Sequence, residues 1–319
     1  MKILVTGCNG FVGTLLVEQL LQKSHDVVGI DRMASQRGGI EFYECDLSYK
    51  ITVPRQAFDV VIHCAAAKGD WNLSDEDFQR DNVIATKNLV KYLEDCHIGQ
   101  IIHFSTVAIY SREVGSGDET TPLTPDSVYG KTKLDSEKLI RAFAAKKAID
   151  TTILRPSVIY GRENFANMYN LIRQLNRALP FQINPKSIVK SHVSVRNVVD
   201  VVCRFLESQN QQDLIQIFNL TEKPYMNLGQ MIQIICDELG VKQPTISLPV
   251  WFVAIPFALF GFLGKIVGRD IGFTRERLQK FSSSTNYTSE KLWSTLGAQK
   301  YESEQELRDM VQWFKTTRR

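Results

Sequence analysis

Apolar runs and amphipathic stretches alternate along the first half of the chain. Short, mostly apolar runs predict strands at residues 2–6, 26–30, 40–47, 57–67, 99–106 and 151–156. Apolar residues repeated every three or four positions predict helices at 14–21, 75–95 and 127–148. This order predicts an α/β fold with a doubly wound parallel sheet, whose ligands lie beyond the carboxyl ends of the strands.

The second half of the chain is less regular. Its pattern predicts a strand and then a helix within 187–206, a strand at 214–220 and a helix at 227–239. We expect residues 1–160 plus about 188–217 to form the sheet domain. The remainder, about 161–187 plus 218–319, is expected to form a smaller C-terminal substrate-binding lobe.

A strongly apolar segment runs from Trp251 to Val267 and is interrupted by Pro256, Gly261, Gly264 and Lys265. It is too short and too broken for a membrane span of about 20 apolar residues. We interpret it as a buried or pocket-lining helix pair. An amphipathic contact with a membrane surface is the alternative.

Composition and charge exclude several classes of protein. A net charge of +3, without a basic stripe interleaved with aromatic residues, indicates no nucleic-acid partner. Six scattered cysteines favour free thiols in a reducing compartment, and the five histidines lack metal-ligand spacing, so no metal is expected. A predicted strand that begins at residue 2 leaves no room for a signal peptide, and we expect a cytoplasmic protein.

A glycine-rich turn joins the first predicted strand to the first predicted helix. Gly7 permits a tight turn, Gly10 lets backbone amides approach a pyrophosphate, and Gly13 lets the helix lie close to the strand. The helix start offers free N–H groups and a positive dipole end. Asp31 ends the next predicted strand, as in dinucleotide-binding units. The pattern predicts a dinucleotide site, and the alternative is a turn with a purely structural role.

A tyrosine and a lysine lie four residues apart at the start of the helix predicted at 127–148. Tyr129 and Lys133 therefore share one helical face. A lysine ammonium within reach favours the phenolate and lowers the pKa of the tyrosine. Such a pair suits proton exchange with a substrate hydroxyl during hydride transfer. Thr106, at the end of a predicted strand, would hydrogen-bond the same oxygen.

Several further segments, in the same order, resemble one family. His63-Cys64-Ala65-Ala66 resembles an H-x-A-A segment, Asn82 begins a segment close to N-V-x-G-T-x-N-L, and residues 154–161 resemble R-P-x-x-x-Y-G. Together with the glycine turn, Thr106 and the Tyr129/Lys133 pair, they match nearly the whole chain. The sequence resembles the extended short-chain dehydrogenase/reductases, the NAD-dependent epimerase/dehydratase superfamily, which implies a Rossmann sheet and NAD as cofactor.

The resemblance implies a role for each matching residue. Asp31 would bind the adenosine ribose hydroxyls and disfavour the 2′-phosphate of NADP, with Arg32 beside it, while Asp46 and Leu47 would flank the adenine. Core packing is the alternative for Leu47, and a solvated loop position is the alternative for Lys68. The implied cofactor contacts are Gly7, Asn9, Gly10, Phe11, Val12, Gly13, Asp31, Arg32, Asp46, Leu47, Cys64, Ala65, Ala66, Lys68, Asn82, Tyr129, Lys133 and Pro156. A homodimer through helices 75–95 and 127–148 is also implied.

Departures from the family pattern narrow the expected function. The 4,6-dehydratases carry Asp-Glu after the catalytic Thr, where this chain has Val107 and Ala108, so we predict no dehydratase activity. Val158 replaces an Asn that contacts the nucleotide diphosphate in epimerases. Lys190 stands near the position of a phosphate-contacting Arg, which a lysine can replace as a point charge. Thr106, Val158 and Lys190 are therefore the expected substrate contacts.

Two enzyme functions remain open from the sequence. The favoured one is an epimerase or 4-keto reductase acting on a nucleotide-activated sugar. The alternative is an oxidoreductase resembling the 3β-hydroxysteroid dehydrogenases, acting on a bulky apolar alcohol. A binding or sensor protein without catalysis is disfavoured, because Thr106, Tyr129 and Lys133 are all present.

Overall fold

The computed structural model describes residues 1–34, 38–68, 73–111, 116–177, 181–183, 188–208, 213–248 and 285–317. The apolar segment at 251–267 lies outside these residues. In chain order the strands are β1 (Lys2–Thr6), β2 (Asp26–Asp31), β3 (Glu41–Glu44), β4 (Phe58–His63), β5 (Ile98–Phe104), β6 (Ser116–Gly117), β7 (Asp150–Pro156), β8 (Val158–Tyr160), β9 (Phe181–Ile183), β10 (His192–Ser194), β11 (Ile215–Leu220), β12 (Ile246–Leu248) and β13 (Asn286–Tyr287).

Along the chain, α-helices lie between many of these strands. They are α1 (Phe11–Gln22), α2 (Asp75–Phe78), α3 (Ala85–Leu93), α4 (Val128–Lys147), α5 (Asn167–Leu175), α6 (Val195–Glu207), α7 (Leu228–Leu239), α8 (Glu290–Leu296) and α9 (Ser303–Thr317). A π-helical segment, Gln79–Ile84, joins α2 to α3. None of the helices in the described ranges is long and apolar enough to cross a membrane.

Seven parallel strands form the main sheet, in the order β11-β7-β5-β4-β1-β2-β3. One face packs against α1 and α6 through side chains such as Leu16 and Val202. The other packs against α3 and α4 through Leu89 and Ile140. Each such buried aliphatic side chain contributes about 1.5–3 kcal/mol. The predicted doubly wound α/β fold is confirmed.

Local sequence signals account for where several elements begin and end. Ser74 caps α2 in a capping box with Asp77, and Ser127 caps α4 by accepting from the Gly130 N–H at 3.1 Å. The predicted strand at 40–47 ends at Glu44, because the Asp46 carboxylate accepts from the Ser48 N–H at 2.8 Å and forms a turn. The strand predicted to reach residue 67 ends at His63.

The C-terminal residues add a second hydrophobic core beyond the main sheet. Side chains from α5, α7 and α9 meet there, including Ile172, Ile235 and Phe314. The short strand β10 pairs with β8 rather than with the main sheet. The main sheet itself continues to Leu220, three residues beyond the boundary expected near 217. Helix α3 packs beside α4 on the sheet face away from α1 and α6. A homodimer contact through α3 and α4 stays a prediction.

Candidate cofactor and active site

The glycine-rich turn holds β1, α1 and the segment after β4 in close contact. Gly7 has φ +70°, and a Cβ there would lie 2.7 Å from the Ala65 amide nitrogen. A Cβ on Gly13 would lie 2.1 Å from the Gly7 carbonyl oxygen. Helix α1 begins after Gly10, and no side chain among the described residues caps it. Its first N–H groups are therefore available to an anion such as a pyrophosphate.

Asp31 is held against the glycine-rich turn by two backbone hydrogen bonds. Its Oδ2 accepts from the Asn9 N–H at 2.9 Å, and its Oδ1 accepts from the Met33 N–H at 3.0 Å. The Asn9 side-chain amide donates to the Met33 carbonyl at 2.7 Å. These bonds set the carboxylate beside the turn, as the dinucleotide prediction requires.

Arg32 has a partner that the sequence did not indicate. Its Nη1 donates to Oδ2 of Asp81 at 2.9 Å, from the strand end of β2 to the π-helical segment before α3. Burial by itself raises the pKa of Asp81, but hydrogen bonds and charges from Arg80 and Arg32 outweigh it and leave that pKa below its usual value. Asp81 is therefore a carboxylate at neutral pH.

The other predicted cofactor residues lie along the same sheet edge in different environments. Leu47 is buried in the core between the sheet and α3, as core packing requires. Cys64 and Ala65 are half-buried after β4, and Ala66 and Lys68 are exposed on the same loop. Phe11 and Val12 form the first turn of α1, and Pro156 ends β7. A cofactor contact at each of these positions stays a prediction.

Asn82 links the loop after β4 to the helix that carries Tyr129. Its Oδ1 accepts from the Ala67 N–H at 2.8 Å, and its Nδ2 donates to Thr132 Oγ1 at 3.0 Å. The side chain is buried and both ends of its amide have protein partners. These contacts give Asn82 a positioning role in addition to the cofactor contact predicted from the family pattern.

The Thr106 hydroxyl lies close enough to the Tyr129 phenol to influence its pKa. Thr106 Oγ1 accepts from the Ala108 N–H at 3.2 Å, which leaves its proton free to donate to the phenol oxygen. Burial raises the pKa of Tyr129, and the Thr106 hydroxyl opposes this rise. We expected the pKa of Tyr129 to be lowered. That expectation is wrong, because burial of the phenolate outweighs the opposing effect of the Thr106 hydroxyl.

Lys133 lies one turn further along α4 and points to the end of β5. Its Nζ donates to the Phe104 carbonyl oxygen at 2.6 Å, two residues before Thr106. The side chain is buried, and burial lowers the pKa of Lys133 to about 8. The structure thus brings Thr106, Tyr129 and Lys133 together at the carboxyl end of β5.

Gly130 makes this arrangement possible, and the sequence reasoning missed it. A Cβ at Gly130 would lie 2.2 Å from the carbonyl oxygen of Ala108, in the short 3-10 turn that follows Thr106. Only glycine allows α4 to approach that turn so closely. The glycine directly after Tyr129 was the signal available in the sequence.

Buried hydrogen bonds hold α4 against the sheet and against α3. Glu137, one turn after Lys133, accepts from Arg155 Nη2 at 2.6 Å and from Arg155 Nε at 3.2 Å. Arg155 Nη1 also donates to the Tyr110 hydroxyl at 2.7 Å. The Ser136 and Thr86 hydroxyls lie 2.7 Å apart and join α4 to α3. These residues position the helix and were also missed from the sequence.

Two of the three predicted substrate residues, Val158 and Lys190, lie in short paired segments outside the main sheet. Val158 begins β8, pairs with His192 of β10 and leaves 41% of its surface exposed. Lys190 is half-buried and forms a β-bridge with Thr285. Within the described ranges, no group of His, Cys, Asp and Glu side chains could hold a metal ion.

The chain matches the model of the NAD dependent epimerase/dehydratase family over residues 3–221, and it belongs to this family. It is therefore an enzyme of an NAD dependent family, and NAD is its cofactor. The residues present fit that cofactor. Helix α1 starts without a side-chain cap, and Gly13 has no Cβ that would collide with the Gly7 carbonyl in the glycine-rich turn. Asp31 is held beside the same turn by the Asn9 N–H.

The chain is also similar to individual proteins. The chain is 28% identical over 304 residues to the N-acetyl-alpha-D-glucosaminyl-diphospho-ditrans,octacis-undecaprenol 4-epimerase of Escherichia coli O157:H7, covering 92% of this chain and 89% of that protein. It is 30% identical over 176 residues to a 3-beta-hydroxysteroid dehydrogenase of Mycolicibacterium neoaurum, covering 50% of this chain and 48% of that protein. The solved UDP-glucuronic acid 4-epimerase of Bacillus cereus, in complex with NAD, has the same fold, with a TM-score of 0.78, 20% identity and complete coverage of both chains.

Proposed function

We propose that this enzyme is a 4-epimerase that acts on a hexose activated through a diphosphate, as in a nucleotide-sugar. The observation that carries the proposal is the meeting of Thr106, Tyr129 and Lys133 at the carboxyl end of β5. Lys133 Nζ bonds the Phe104 carbonyl there, and the start of α4 lies against the turn after Thr106. The names of the Escherichia coli and Bacillus cereus relatives support it, since both describe 4-epimerases of diphosphate-linked sugars.

The side chains divide the proton chemistry between them. Tyr129 takes the proton of the substrate hydroxyl and later returns it, while the Thr106 hydroxyl holds the same oxygen. Lys133, buried one helical turn after Tyr129, is proposed to hold positive charge on the same helical face. Bound NAD supplies the hydride acceptor and donor.

The residues after Thr106 argue against water elimination. Val107 and Ala108 lie in the 3-10 turn beside the proposed reaction centre, and neither side chain can transfer a proton. We therefore propose that the enzyme is not a 4,6-dehydratase. Formation of a 4-keto-6-deoxy sugar from a nucleotide-hexose would contradict this part of the proposal.

We propose that the C-terminal lobe holds the diphosphate-linked carrier, with Val158 and Lys190 as contacts. The carriers of the two epimerase relatives differ, because one is a nucleotide and the other a polyprenol. Lys190 would serve the diphosphate shared by both as a point charge. The half-exposed Val158 would lie beside the carrier.

In the experiment, the purified chain is incubated with NAD and with one candidate substrate at a time. The substrates are UDP-glucose, UDP-N-acetylglucosamine, UDP-glucuronic acid and a polyprenyl-diphospho-N-acetylglucosamine. We expect proton NMR to show conversion of at least one of them to its 4-epimer without net formation of NADH. Tyr129→Phe should abolish conversion, while Tyr49→Phe, a change at an exposed tyrosine, should not. Retained conversion by Tyr129→Phe would contradict the proposed base.

A second candidate is an oxidoreductase acting on a bulky apolar alcohol, which the partial similarity to the Mycolicibacterium neoaurum dehydrogenase favours. The same assay distinguishes the two functions when a 3β-hydroxysterol is added to the set of substrates. Steady NADH formation with a 3β-hydroxysterol, and no conversion of any sugar, would replace the epimerase proposal with this one.

A further inference from the structure

A charged cluster lies beside the proposed adenosine end of the cofactor site. Asp81 is 8% exposed and accepts from two arginines: Arg32 Nη1 at 2.9 Å, and Arg80 through Nε at 2.7 Å and Nη2 at 3.2 Å. Arg80 Nη1 also contacts Asp77 Oδ1 at 2.7 Å. Two positive and two negative side chains therefore balance, and Asp81 is their buried centre.

We propose that Asp81 is a specificity-determining residue that holds Arg32 in an ion pair and thereby keeps the cofactor site selective for NAD over NADP. The inference rests on the proposed placement of the adenosine ribose at Asp31. Arg32 directly follows Asp31, and its side chain is half-exposed, so it is a cation next to the position that a 2′-phosphate would occupy.

The local backbone explains why Asp81 can reach Arg32. Asp81 and Asn82 are consecutive residues in the π-helical segment Gln79–Ile84, and both are buried. Asn82 bonds the loop after β4, while Asp81 bonds Arg32 at the end of β2. One short segment thus contacts two strand ends on the cofactor side of the sheet.

Electrostatics then decide between the two cofactors. The 2′-phosphate of NADP would meet the Asp31 carboxylate, which its two backbone donors hold in place. Moving the Arg32 guanidinium onto that phosphate would break its bond to the buried Asp81 carboxylate, which disfavours the move. NAD has no such phosphate and leaves the ion pair intact.

The test measures binding rather than turnover. Dissociation constants of NADH and NADPH are determined by fluorescence titration of the full-length chain at low ionic strength, where a partly exposed ion pair is least screened. Asp81→Asn keeps the shape of the side chain but removes its charge. We expect it to raise the affinity for NADPH relative to NADH about tenfold, since Arg32 gains a phosphate partner.

Two further variants isolate the mechanism. The double variant Arg32→Ala, Asp81→Asn should lose the gain in NADPH affinity. Asp77→Asn is the matched control, since Asp77 contacts Arg80, and it should leave the NADPH/NADH ratio unchanged. An unchanged ratio in Asp81→Asn, or a gain that persists without Arg32, would overturn the proposal.

Arg32→Ala alone keeps the proposal testable if Asp81→Asn fails to fold, because its side chain is half-exposed. We expect it to leave the NADPH/NADH ratio nearly unchanged. A tenfold loss of NADPH affinity would show that Arg32 already binds the phosphate despite Asp81, which overturns the inference. Asp31→Asn distinguishes failure of the underlying placement: if it changes the affinity for neither cofactor, the ribose does not lie at Asp31.

Discussion

His63 Nε2 and Thr86 Oγ1 lie 3.0 Å apart between the sheet and helix α3. Thr86 donates its own proton to the Asn82 carbonyl at 2.6 Å, so the imidazole must be the donor in this contact. His63 Nδ1 then accepts from Thr6 Oγ1 at 2.7 Å. Burial and the charge of Lys133 lower the pKa of His63 to about 3, which agrees with a neutral ring. The chain of bonds connects the strand before the glycine-rich turn to α3.

Thr86→Val should lower the free energy of unfolding by about 1–3 kcal/mol, because it leaves the buried His63 N–H and the Ser136 hydroxyl without an acceptor. Urea unfolding followed by circular dichroism measures the change. The matched control is Thr152→Val, since the buried Thr152 hydroxyl has no hydrogen-bond partner in the described part of the chain. Equal losses in the two variants would show that the hydrogen bonds of the Thr86 hydroxyl contribute nothing to stability.

Lys133 should make stability rise with pH over a defined alkaline range. Burial lowers its pKa in the folded chain to about 8, from an ordinary value of 10.5. Between these values the unfolded chain binds more protons, so the free energy of unfolding increases as pH rises. Below pH 8 both states are protonated and the full cost of the buried charge is present.

Lys133→Met removes this dependence. The free energy of unfolding of the native chain, relative to Lys133→Met, should therefore increase between about pH 8 and 10.5, by at most about 3 kcal/mol. Denaturant titrations at several pH values give this difference. Lys131→Met is the control, because Lys131 is exposed on the same helix, and it should show no such trend.

Thr106→Val should shift the rising, alkaline limb of the pH–rate profile to higher pH. The Thr106 hydroxyl lowers the pKa of Tyr129, against the larger opposing effect of burial, so its loss disfavours the phenolate further. The rate of epimerisation with NAD present, measured from neutral to alkaline pH, reports the shift. Thr106→Ser keeps the hydroxyl and should restore the native profile. An unshifted profile in the valine variant would remove this role of Thr106.

Gly130→Ala should destabilise the chain by about 1–3 kcal/mol, although glycine to alanine normally stabilises a helix. The added Cβ would lie 2.2 Å from the Ala108 carbonyl and force α4 away from the turn after Thr106. Turnover should fall more than affinity for NAD, because Tyr129 moves and the glycine-rich turn does not. Gly38→Ala, where a Cβ meets nothing within 4 Å, should be neutral for both measurements.

Glu137→Gln should lower the free energy of unfolding by about 3–5 kcal/mol, because Arg155 would remain buried with an uncompensated charge. Thermal and urea unfolding measure the loss. The exposed Lys138–Asp135 pair on the same helix provides the comparison, and Asp135→Asn should cost at most about 1 kcal/mol. Similar losses for both would contradict the structural importance of the buried pair.

The sequence alone determined the parallel α/β fold, the glycine-rich turn and the shared helical face of Tyr129 and Lys133. Each of these depends on residues close together in the chain, where strand runs and helix periodicity obey local rules. The carboxyl-edge position of Asp31 and Thr106 followed as well, because parallel strands present their ends on one side.

The tertiary structure alone decided the partners and the charge states of the site. Arg32 meets Asp81 from 49 residues away, and Tyr110 meets Arg155 from 45. No local pattern specifies such pairs, since they arise only when strands and helices pack. Burial likewise raises the pKa of Tyr129, opposite to the effect expected from a neighbouring lysine. Desolvation depends on everything that surrounds the phenol, and that is a property of the folded chain.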